Sequence, residues 1–123
     1  MFDIMSSMST YHPKPADFSL TSILDALGDP IRLSIVKSLA ENGEQTCKAF
    51  HPDIPKSTLS RHFRVLREAG LIFVEPKGTS YLNSLRREDI DSRFPGLLNL
   101  VLKFSDDRQR SLRSMNEAAE RLR

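Results

Sequence analysis

The stretch KSTLSRHFRVLREAGLI, residues 56–72, carries two interleaved sets of side chains. Ser57, Ser60, Arg61 and Arg64 stand at i, i+3, i+4 and i+7, which places them on one face of a helix. Leu59, Phe63, Leu66 and Ala69 fall on the opposite face. Hydroxyls are short donors and acceptors that reach a base edge or a phosphate without holding a helix away from it. Guanidinium donates two parallel bonds to guanine, or neutralises a phosphate. Lys56 and Thr58 lie at the helix start, where a recognition helix puts its base-reading residues. The competing reading of Ser57 and Thr58 is helix capping, and that of the arginines is a solvated face. A groove about 12 Å wide, the major groove of B-DNA, admits a helix with such a narrow donor face.

The elements before this helix are set by its neighbours in sequence. Leu20, Ile23, Leu24 and Leu27 repeat at helical steps and predict a helix over 17–27, ended by Gly28. In GDPIRLSIVKSLAENGE, Asp29 can cap a second helix whose first turn tolerates Pro30. Ile31, Ile35, Val36 and Leu39 form its buried stripe, and Asn42-Gly43 stops it. Gln45–His51 reads as a short helix packing Cys47 and Phe50 inward. HPDIP then breaks the helical course, because residues before proline avoid helical geometry. Short helix, turn and longer helix make a helix-turn-helix, and Gly70 supplies its left-handed end.

Beyond Gly70 the period changes. LIFVEP and SYLNSL are extended runs joined through Pro76-Lys77-Gly78-Thr79, which predicts a β-hairpin with Lys77 and Thr79 at a basic tip. RREDIDSRF reads as a linker to a final helix from about Pro95, on which Leu97, Val101, Phe104, Leu112, Met115, Ala119 and Leu122 share a stripe. The fold class that follows is mainly α (α+β): a winged helix-turn-helix of about five helices plus a two-stranded β-hairpin wing. Its organisation is a flexible N-terminal segment at 1–17, a DNA-binding domain at 18–93 and a C-terminal dimerisation helix at 94–123. The stripe is too long for so small a core to cover, so a second copy is expected over it. Leu20, Leu24, Leu97, Val101, Phe104, Leu112 and Met115 are the candidate interface. Packing of the last helix on the first within one chain is the alternative.

Charge distribution agrees with the basic face. The 123 residues carry a net charge of only +2, with 39% hydrophobic and 28% charged residues. Between Lys56 and Arg87, however, seven basic residues meet two acidic ones, whereas the remainder has eleven basic and fourteen acidic. Positive charge is thus concentrated on one segment, as a nucleic-acid footprint requires. Arg64, Arg67, Lys77, Arg86 and Arg87 are the expected phosphate contacts. Cys47 is the single cysteine, so no intrachain disulfide forms, and a cytoplasmic setting is expected. No apolar run approaches a membrane span.

GDPIRLSIVKSLAENGE followed by KSTLSRHFRVLREAGLI resembles the ArsR/SmtB family of bacterial transcriptional repressors over about residues 18–88. The family signature is a D-P-x-R-x-x-I-L-x-x-L helix, then S-x-x-S-x-H-L-x-x-L-x-x-A-G-L-V running into the wing. The resemblance implies a homodimer on a two-fold symmetric operator, with first and last helices at the interface. It places family base and phosphate contacts on Lys56, Ser57, Ser60 and Arg61, and sets His62 against the turn, with backbone contact as the alternative. Two features depart from the family. EQTCKAFH has one cysteine where many members carry a Cys-x-Cys metal pair, and the terminal helix has no histidine. One Cys and three scattered His do not assemble a transition-metal site; His12 and His51 read as isolated surface residues, and Cys47 as a small buried apolar one. No metal and no cofactor is expected. No glycine-rich phosphate loop and no Cys–His or Ser–His pairing points to an enzyme. The rival function is a winged-helix protein-interaction module meeting an acidic partner, to which the paired serines would be of no use.

Overall fold

A computed structural model of the chain describes residues 11–50 and 53–105. Helix α1 (Leu20–Leu27) starts at Ser19, whose hydroxyl accepts from Ser22 N. Helix α2 (Pro30–Asn42) starts at Asp29, whose carboxylate accepts from the amides of Ile31 at 2.8 Å and Arg32 at 3.1 Å. Burial pushes the pKa of Asp29 up, but these two amides, with the Arg32 guanidinium nearby, outweigh it and hold it below the ordinary value. Helix α3 (Lys56–Ala69) ends at Gly70, where φ is +93°. Helix α4 (Arg87–Arg93) and helix α5, seen over 97–105, complete the helical set.

The strands form one antiparallel sheet in the order β1-β3-β2, with β1 at Gln45–Thr46, β2 at Ile72–Lys77 and β3 at Ser80–Leu85. Lys77 pairs with Ser80, so the wing turns on Gly78 and Thr79 alone, and Gly78 takes φ +62°. The core lies between α1, α2, α3 and one face of this sheet. Ile23, Ile35, Val36, Leu66, Leu71, Ile72, Ile90 and Leu98 are fully buried in it.

Three local expectations are corrected. Gln45–Ala49 is not a helix: Gln45 and Thr46 pair with Asn83 and Leu82, giving the sheet a third strand, and Cys47–Ala49 is a single 3-10 turn. Asn83 explains the preference, since its buried Nδ2 donates to Gln45 O at 3.2 Å and reaches Cys47 Sγ at 3.5 Å. Phe50 does pack inward, edge-on to Phe63. Residues 87–93, read as linker, are helical, with Ile90 buried and Arg86 Nε bonded to Asp89 at 3.0 Å across the first turn. His12, read as an isolated surface residue, accepts at Nε2 from the Val74 amide at 3.0 Å and stacks on Phe73 at 4.2 Å.

That last contact belongs to a strap. Arg86 donates to Pro13 O at 2.8 Å and lies over the Phe18 ring, while Arg93 donates to Pro15 O at 2.9 Å and Phe18 O at 3.3 Å. Phe18 is driven by these bonds against Gly70, where an added Cβ would stand 2.4 Å from its ring. Gly70 is therefore required twice, for its positive φ and for the close approach of Phe18. The strap thus packs directly on the C-terminal end of α3.

Candidate nucleic-acid interface

The hydrophobic thread of α3 fixes which way its other face points. Leu59, Phe63, Leu66 and Ala69 are buried against the core. Lys56, Ser57, Thr58, Arg61 and Arg64 are exposed, and Ser60 is half-buried. None of these six side chains makes a hydrogen bond or ion pair with any described residue. The capping alternative for Ser57 and Thr58 fails, because the residue ahead of the helix is Pro55 and no side chain caps it. The first-turn amides stay open, the first turn holds no acidic residue, and the helix dipole adds positive potential at this end. Lys77 and Thr79 are exposed at the wing tip.

Three of the arginines expected on phosphates are placed elsewhere. Arg67 is only 1% exposed, with one Nη 3.9 Å from Glu68 and its Nε without a hydrogen-bond partner among the described residues. Its position four residues after the buried Phe63 sets it on the inward side of α3, where its charge bears on His12. Arg86 holds Asp89 and Pro13, and Arg87 donates to Asn99 Oδ1 at 2.8 Å. Arg64 and Lys77 are left as the exposed cations of that group.

His62 is half-buried and faces the α1–α2 corner rather than solvent, with Nδ1 3.3 Å from Arg32 Nη1. Arg32 also donates from Nε to Ala26 O at 2.8 Å and from Nη2 to Asp25 O at 3.2 Å. Arginine 32 sits inside the DPIR motif, but spacing alone gave no sign of this bridge. Burial raises the pKa of the Cys47 thiol against the opposing bond from Asn83, so it is a poor thiolate source. Among the described residues, no three His, Cys, Asp or Glu side chains converge as a metal site.

The candidate interface residues divide. Leu20 and Leu24 are 44% and 46% exposed, and Phe104 is 51% exposed. Leu97 and Val101 are half-buried against the chain's own core, into which the neighbouring Leu98 is fully sunk. Leu100, at 57% exposed, joins the outer apolar surface without having been anticipated. Helix α5 is thus apolar on two sides. Leu112 and Met115, like His51, lie outside the described residues.

A three-helix core, an outward cationic helix and a two-residue wing define a winged helix-turn-helix protein. A helix-turn-helix domain family matches residues 27–75. The uncharacterized HTH-type transcriptional regulator MJ1325 of Methanocaldococcus jannaschii is 42% identical over 81 residues, covering 64% of this chain and 86% of that protein. The uncharacterized HTH-type transcriptional regulator YceK of Bacillus subtilis is 35% identical over 82 residues, covering 64% and 82%. Among solved structures, an ArsR family transcriptional regulator has the same fold, with a TM-score of 0.55 at 20% identity over 76% of this chain and 96% of that one. The transcriptional repressor BigR from Xylella fastidiosa gives 0.54 at 25% identity over 69% and 81%. The chain belongs to the family of helix-turn-helix, DNA-binding transcriptional regulators that MJ1325 and YceK represent.

Proposed function

We propose that the protein is a homodimeric repressor that places two copies of α3 in successive major grooves of a pseudo-palindromic operator, their centres about 34 Å apart. The carrying observation is the outward face of α3: six polar or cationic side chains, free of described partners, backed by a fully buried apolar face. Ser57, Ser60 and Arg61 choose sequence. Lys56, Thr58, Arg64, Lys77 and Thr79 grip the phosphates, and Lys77 and Thr79 do so on the DNA flanking the major groove. Each cation that neutralises a phosphate releases counterions, which makes affinity fall steeply with salt. Exposed Leu20, Leu24, Leu100 and Phe104 support a second copy as the cover of α1 and α5.

A gel shift on the protein's own promoter region, with excess competitor DNA, tests the reading. Arg61→Ala should weaken specific binding by about 1–3 kcal/mol per half-site, and twice that in a dimer. Arg121→Ala, outside the reading segment, should leave it nearly unchanged. Equal operator affinity of the two variants would overturn the assignment, as would a monomer in sedimentation at micromolar concentration.

A further inference from the structure

Apolar packing holds α3 against the core but is non-directional, so Leu59, Phe63 and Leu66 resist its departure better than its rolling or sliding. A reading helix needs more, because base contacts are made only when the donors are held to about 0.5 Å and 10–20°. Arg32 makes a side-chain hydrogen bond to α3 through His62, midway in sequence between Ser60 and Arg64. The other two donors of the same guanidinium sit on Ala26 O and Asp25 O, the last turn of α1. Arginine's flat fork fixes all three directions at once, as a lysine cannot. Its backbone is fixed in turn, since Arg32 N donates to the Asp29 cap. Arginine has no acceptor, so Nδ1 of His62 must be the unprotonated nitrogen that receives the bond.

We propose that Arg32, bridging the end of α1 to His62, is a positioning residue that sets the rotation of the reading helix and thereby its discrimination between DNA sequences. The proposal rests on the DNA-reading role of α3 given above. It also ties the reading head to α1, whose Leu20 and Leu24 lie on the candidate dimer surface, so a shift there reaches residues 57–64 through one guanidinium.

The test compares full-length wild type with Arg32→Lys, His62→Leu and His62→Asn. Two readouts are taken: the ratio of operator to random-sequence affinity, and the relative orientation of α1 and α3 in the free protein from residual dipolar couplings. Arg32→Lys and His62→Leu should lower the affinity ratio about tenfold, the scale of one lost base contact, while random-DNA affinity stays within twofold. Both should also change the α1–α3 couplings. His62→Asn keeps an acceptor oxygen in reach and should stay near wild type in both. A wild-type ratio and wild-type couplings in Arg32→Lys would overturn the proposal. So would a parallel loss of specific and random binding that tracks melting, or a His62→Asn as impaired as His62→Leu. Should wild type itself show no sequence preference, the operator reading fails and the couplings alone judge the bridge.

Discussion

Two populations of basic side chain occupy this small protein, and they are used in opposite ways. Arg32, Arg86 and Arg93 each hold two or more partners, mostly backbone carbonyls, and close the corners where the strap, α1 and α4 meet the body. Lys56, Arg61, Arg64 and Lys77 hold no described partner and line the outer side of α3 and the wing. The same residue type is therefore a clamp on one side and an open donor on the other. The difference lies in what backs each side chain. A guanidinium beside a strap or helix end finds unpaired carbonyls, whereas one on the outer face of a helix with satisfied backbone finds only solvent.

The largest test of this contrast removes a clamp. Arg86→Ala deletes charge-assisted bonds to Asp89 and Pro13 and the cover on Phe18, and should lower unfolding free energy by about 1.5–3 kcal/mol in a denaturant titration. DNA affinity measured well below its melting point should be unchanged. The converse removes an open donor. Arg64→Ala should leave stability within about 0.5 kcal/mol of wild type, yet reduce the slope of log affinity against log salt by about one per protomer. Were Arg64→Ala to destabilise as much as Arg86→Ala, the division would collapse.

The smallest effect is in pH. Burial first, then the charges of Arg86 and Arg67, lower the pKa of His12 below the ordinary 6.5. The folded state therefore prefers neutral His12, which the bond from the Val74 amide also demands. Its contribution is whole above that value and drains away as pH falls through it toward the lower folded value. His12→Gln, a non-titrating acceptor, should lose less stability than wild type when the pH drops from about 7 to about 5. Identical slopes would separate His12 from the strap.

Sequence pattern revealed most where local chemistry decides. The Asp29-Pro30 start, the Gly70 stop and the outward placing of Ser57, Arg61 and Arg64 follow from capping, left-handed backbone and helical period, and each appears in the structure. It concealed what partners decide. REDIDSR has one strongly apolar residue, Ile90, and so no stripe, yet α4 forms there over the core. Gln45 and Thr46 join a sheet because Asn83 lies opposite, 38 residues away. Arg67 reads like Arg64 in composition, and only the packing of α3 consigns one to the interior. The arginine bridge to His62 spans 30 residues and leaves no periodic trace.

One consequence follows from the strand at the rim. Along β2 the outward amides alternate with those paired to β3, and fall at Ile72, Val74 and Pro76. Proline has no amide to offer, and the imidazole of His12 already occupies the one at Val74. A foreign strand approaching this side would meet a single vacant donor where it needs a ladder. The rim of the wing along β2 is consequently protected against the runaway addition of further strands.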